Sequence, residues 1–257
     1  MRKITVKEIQ KDGSTKRQAV DIRNLLNLNY LELSNKTTSD NVLGYPDIYC
    51  NTKILPDYLA LYNQPSYYHK TQLTGVCFYE FDKEFDGIKG LFNAIYYKDK
   101  KLLHFYKERF KNVKFFISPD YSQFGDLQPV ENMIRLWKAR IVTEWFITEL
   151  HAIAIPNMTY VSEETLPLFI MGLSSCSVVA FSTKGHVRYA RERKLLKAAV
   201  KYCVDNLPLK TIVVYSVCGN DSTSLRLFQY AIDKGIRVVI PENSLRQRNQ
   251  KRSELAA

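Results

Sequence analysis

From about residue 73 onward the chain alternates short β-branched or aromatic runs with longer segments in which apolar residues recur every three or four positions. That alternation is the pattern of βα units on a parallel sheet, and it restricts the chain to the α/β class. The strand-like runs are Leu73 to Tyr79, Val113 to Ser118, Ala152 to Pro156, Ser177 to Ser182, Thr211 to Ser216 and Ile236 to Ile240. Their nearly continuous apolar character predicts cover on both faces. Helices are predicted over Val130 to Glu149, Arg188 to Leu207 and Ser222 to Lys234, the last opened by a Ser/Thr cap signal and closed by Gly235. In the first of them Ile134, Trp137, Ile141, Trp145 and Leu150 form an apolar stripe, with Arg135, Lys138, Arg140 and Glu144 on other faces.

Repeated right-handed units of this kind fit either an open doubly wound sheet or an incomplete TIM-type barrel whose remaining strands are irregular and N-terminal. The barrel is slightly preferred, because polar residues follow nearly every strand instead of gathering at one switch point. Residues 1–70 lack a long periodic segment and read as an irregular appendage, a short hairpin or helix, with Tyr45 to Tyr49 as one further strand. Residues 71–243 form the α/β domain, and 244–257 a basic polar tail expected not to pack.

At 257 residues and 46% hydrophobic composition the chain can bury a substantial core. No apolar stretch approaches the roughly 20 residues of a membrane-spanning helix. The charged N-terminus does not read as a secretion signal, so a cytoplasmic protein is expected. The five cysteines contain no C-x-x-C pair and read as reduced core thiols, and the four histidines show no zinc-ligand spacing.

Both architectures bring the residues just after each strand to one mouth. Asp82, Asp120, Ser122 and Asn157 are therefore the candidate catalytic residues. The same residue types also cap helices and close turns. Pro119 fixes the chain direction after a buried strand and presents Asp120 and Ser122, which makes Asp120 the strongest of the four. A helix arginine such as Arg140 could pair with Asp120, though a solvated arginine is the commoner outcome. Asp82 and Asp120 would be the ligands if a divalent cation were bound. No phosphate loop, dinucleotide fingerprint, zinc-protease helix or nucleophile elbow occurs, so no nucleotide cofactor is predicted.

The net charge of +11 invites an anionic partner. Lys184, Arg188, Arg191, Arg193 and Lys194, with Arg246, Arg248 and Arg252 from the tail, could form a phosphate-binding face for DNA or RNA. They could equally fill the solvent side of their helices.

Phe78-Tyr79-Glu80-Phe81-Asp82, Ile117-Ser118-Pro119-Asp120-Tyr121-Ser122, Asn132 with Arg140 and Trp145, Ile153 to Asn157 and Val178 to Gly185 occur in that order. Over about residues 45 to 220 this order resembles the uncharacterised family catalogued as domain of unknown function 4417, with S-P-D-[FY]-S as its most specific element. The resemblance implies a phage, plasmid or integrated-element setting and marks the site; it implies no reaction. The chain departs from the family at Tyr160, where a tryptophan is usual, and at Tyr215-Ser216, where Tyr-Gly is expected.

Three functions follow as expectations. The first is a mobile-element accessory protein that binds nucleic acid. The second is an enzyme with a carboxylate site acting on a phosphorylated or nucleotide substrate. The third is an interaction factor that contacts host defence or replication machinery through residues 1–70.

Overall fold

The structure is a computed structural model that describes residues 3–10, 14–21, 39 and 41–255. It is a mixed α/β fold with parallel sheets. Strands β1 (Lys3–Ile9) and β2 (Thr15–Asp21) form an antiparallel hairpin. Strands β3 (Tyr58–Leu61), β4 (Thr74–Cys77), β5 (Phe115–Ile117) and β6 (Ile153–Ile155) then pair in that order as a four-stranded parallel sheet. Strands β7 (Val178–Ser182), β8 (Thr211–Tyr215) and β9 (Arg237–Val239) pair as a three-stranded parallel sheet. Single parallel bridges, Asn157 to Ala180 and Tyr58 to Glu242, connect the two sheets at both of their edges. Each bridge is hydrogen-bonded: Ala180 N donates to Pro156 O at 2.8 Å, and Leu59 N to Glu242 O at 2.8 Å.

Every strand predicted after residue 73 is present inside its apolar run. Strand β3 is an addition, and with Tyr45, Ile48 and Cys50 in the core it extends the α/β fold well into the first 70 residues. Residues 45–49 make no strand; Ile48 N donates to Gly172 O instead. The part of the expected irregular N-terminal appendage over 22–38 lies outside the described residues.

The helices are α1 (Leu91–Tyr96), α2 (Lys100–Arg109), α3 (Pro129–Leu150), α4 (Leu166–Phe169), α5 (Ala190–Asn206), α6 (Asp221–Leu225), α7 (Gln229–Asp233) and α8 (Ser244–Leu255). Helix α3 starts on Pro129 and ends at His151, whose φ of 52° places it in the left-handed region. Its centre is buried all round rather than along one stripe: Arg140, Thr143 and Glu144 are as inaccessible as Ile141 and Phe146. Arg140 neither reaches Asp120 nor sits in solvent. It donates to Phe169 O at 2.7 Å, and burial holds its guanidinium down to about 10. The helix predicted over Ser222 to Lys234 is broken into α6 and α7, because Leu227 and Phe228 turn inward between them.

The expected tail is helix α8. Asn243 Oδ1 accepts from Arg246 N at 2.9 Å, and the buried Arg246 guanidinium pairs with Glu242 and Asp221, each at 2.5 Å. An ion pair that is half sheltered from water fixes a helix that has no apolar stripe of its own.

All five cysteines are free thiols. Among the described residues no helix is long and apolar enough to cross a membrane.

Candidate functional site

The strand ends carry the polar residues, as parallel βα units require. Asp120 stands three residues past β5, and Asn157 two past β6. Asn157 is buried and fully engaged: Tyr79 Oη donates to its Oδ1 at 2.8 Å, and its Nδ2 donates to Asp120 Oδ1 at 2.8 Å. The tyrosine fixes which way the amide points, and the amide fixes the carboxyl.

Burial drives the Asp120 carboxyl up to about 7, against a lowering by the Asn157 hydrogen bond, a raising by the Asp82 charge and a lowering by Lys184. Asp120 is only partly covered, and it opens with Ser122, Asn157, Tyr160, Ser182 and His186 onto a cavity of about 130 Å³. The Tyr160 hydroxyl has no hydrogen-bond partner there. The His186 ring lies 5.2 Å from the Tyr160 ring, with its Nδ1 3.7 Å from Glu192 Oε2. Burial lowers the His186 pKa although Glu192 works against it. A carboxyl that titrates near neutrality beside a neutral imidazole and a phenol is suited to proton transfer.

Asp82 has a different task. Its Oδ1 accepts from Ser122 N at 3.0 Å and Ser122 Oγ at 2.9 Å, and its Oδ2 pairs with Arg135 at 3.0 Å. Asp82 thus clamps the loop that follows Asp120 and acts on the site through charge. Ser122 lines the cavity with its hydroxyl already committed to Asp82. All four predicted catalytic residues therefore meet at one place, but in two bonded pairs. The two carboxylates expected to share a divalent cation do not offer equal free oxygens, since protein donors occupy both oxygens of Asp82. Among the described residues no group of three or more His, Cys, Asp or Glu side chains is arranged to hold a metal ion.

The basic residues differ in what they do. Arg188, Arg191 and Lys194 are exposed. Arg193 donates to Val187 O at 2.7 Å and Arg188 O at 3.1 Å, holding the turn into α5. Arg246 is interior and ion-paired, so it is withdrawn from any outer phosphate-binding face. Lys184 donates to Tyr79 O at 2.6 Å, beside the mouth. Arg248 and Arg252 are exposed along α8, where with Lys251, Gln247 and Tyr67 they line a groove of about 370 Å³.

The sequence names Tyr160 as a departure from the family and Glu80 within the Phe78 to Asp82 run, but it assigns neither them nor His186 to the catalytic site. Tyr160 lies three residues past Asn157 and His186 two past Lys184, so counting further beyond each strand end would have reached both.

Fold and site together define an α/β protein of parallel strands with a polar, part-buried site at their C-terminal ends. The chain belongs to the family described as Domain of unknown function (DUF4417), whose model matches residues 37–231. Comparison with curated proteins and with solved structures gave no match.

Proposed function

We propose that the protein is an enzyme in which Asp120 transfers a proton to or from a phosphorylated substrate, at the mouth of a single barrel made from both parallel sheets. The barrel is supported by the four-stranded and three-stranded sheets meeting through one bridge at each edge, Asn157 to Ala180 and Tyr58 to Glu242. Closure of the ring puts the ends of β3 to β9 around one opening, which is where Asp120, Asn157, Tyr79 and Lys184 are found.

One observation carries the enzymatic reading: a carboxyl raised to about 7, locked by Asn157 and Tyr79, faces a cavity. Turns and caps do not require a carboxyl with these properties. The cavity of about 130 Å³ admits a reacting group but not a whole ligand, since small-molecule sites run from about 300 to 1,000 Å³. The remainder of the substrate then lies along the mouth, where Lys184 favours an anion.

The test is a panel of phosphorylated metabolites, with and without magnesium, followed by phosphorus NMR. Turnover is expected with the native chain and with Asp120→Glu at reduced rate, and to be lost in Asp120→Asn, with a rate inflection near pH 7. Turnover by Asp120→Asn at the native rate would overturn the reading.

A second reading, nucleic-acid binding by a mobile-element protein in the cytoplasm, is favoured by the exposed Arg188, Arg191 and Lys194 and by the basic groove along α8. It predicts that affinity for single-stranded DNA or RNA falls by roughly a hundredfold or more between about 50 and 200 mM salt. Replacing Arg248, Lys251 and Arg252 by alanine should flatten that dependence. Salt-independent binding, or an unchanged slope in the variant, would count against it.

A further inference from the structure

Beside the Asp120 cavity lies a larger one, of about 520 Å³, between the ends of β3, β4 and β7 and the first turns of α8. Its volume falls within the roughly 300–1,000 Å³ of small-molecule sites. Its lining carries both signs of charge. Lys184 and Arg248 supply cations, Glu80 and Glu84 supply carboxylates, and Phe81, a residue 75% exposed, stands in the wall.

These groups are positioned rather than loose. Glu80 Oε2 accepts from Asn63 N at 3.0 Å, and Lys184 Nζ is tied to Tyr79 O at 2.6 Å, which leaves the ammonium further protons to donate. Ser244 Oγ bonds Gln64 Oε1 at 3.1 Å and closes the α8 side. Beneath them the wholly buried Tyr215 hydroxyl has no hydrogen-bond partner, and its electrostatic neighbours include Glu80 and Arg248.

We infer that this cavity binds a nucleotide: Lys184 and Arg248 hold its phosphate, the base lies on Phe81, and Glu80 accepts from a ribose hydroxyl or base amino group. A phosphate needs paired cationic donors, and Arg and Lys together supply fork and point charge. A base needs an open aromatic face, for which phenylalanine suffices. The inference rests on the proposed catalytic reading in one respect, that the bound nucleotide is the substrate. Tyr79 joins the two cavities, since its carbonyl accepts from Lys184 and its hydroxyl donates to Asn157, the partner of Asp120.

Calorimetry with the full chain tests it, using the four ribonucleoside 5′-monophosphates, ribose 5-phosphate and inorganic phosphate as probes. At least one nucleotide is expected to bind more tightly than ribose 5-phosphate. Arg248→Met should weaken nucleotide and ribose 5-phosphate alike by about tenfold, the equivalent of about 1.4 kcal/mol. Phe81→Ala should weaken the nucleotide and spare ribose 5-phosphate. Both side chains are exposed, so the variants fold. Absence of nucleotide binding, or Arg248→Met and Phe81→Ala binding as the native chain does, overturns the nucleotide site while leaving the role of Asp120 to its own test.

Discussion

Replacing Asp120 by asparagine should make the protein more stable above pH 7, by about 2–3 kcal/mol. The sign follows from linkage. The carboxyl titrates near 3.8 when unperturbed and at about 7 in the fold, chiefly through burial. Between those values the folded chain keeps a proton that the unfolded chain has released, so stability falls as pH rises through the window and levels off above it. The full shift corresponds to about 4 kcal/mol at 1.36 kcal/mol per unit. Some of that is offset, because asparagine must bury an amide of its own. The check is a pair of urea titrations at pH 4 and pH 8. Native minus variant stability should fall between them, and a difference that stays flat would rule out a raised carboxyl. A site group that destabilises its own fold is a common mark of function.

The second large effect is mechanical. Phe116 lies at the centre of β5 with its ring stacked 4.1 Å from Phe146 and edge-on at 5.1 Å to Phe110. All three are fully buried in the aromatic cluster between this sheet and α3. Phe116→Ala should cost about 4 kcal/mol, from lost transfer energy plus an unfilled cavity. For a chain of this size that lowers the melting temperature by about 10 °C. Because β5 runs through Ile117 into Ser118, Pro119 and Asp120, the same change should broaden the Asp120 carboxyl titration. Phe116→Leu, which refills most of the space, should recover over half of the loss in calorimetry. Equal losses in the two variants would mean that the aromatic stack is not what holds β5.

How much of this was visible in the sequence depends on what holds each element. Strands buried on both faces write continuous apolar runs, so β4 to β9 could be located by eye. Tyr58 to Leu61 is as apolar, but it is four residues long and sits among Asn, Gln and Pro; its pairing with β4 and its bridge to Glu242 are tertiary facts. Helix α8 was read as a tail because it shows no apolar stripe. Its anchors are an inward arginine, one of whose partners, Asp221, lies 25 residues away, and Asn249, whose Nδ2 donates to Val217 O 32 residues away.

The site divides in the same manner. Pro119 after an apolar strand pointed to Asp120, and Asn157 followed from the same rule. The clamp of Asp82 on Ser122 and Arg135 spans 40 and 53 residues, and no local spacing announces it. The mid-helix position of Arg140 looked solvated from its neighbours in sequence, whereas α3 is wrapped on all sides by both sheets' cores.

Asn157 has a double position whose meaning reaches past the hydrogen bonds it makes. It is the bridge residue opposite Ala180 where β6 meets β7, flanked by Ala180 N donating to Pro156 O at 2.8 Å and Met158 N donating to Ala180 O at 2.9 Å, and its side chain joins Tyr79 to Asp120. One of the two lines along which the sheets meet therefore runs through the residue bonded to Asp120. An opening of that seam would expose the Asp120 carboxyl to water and lower its pKa. The joint between the sheets and the environment of that carboxyl share one residue.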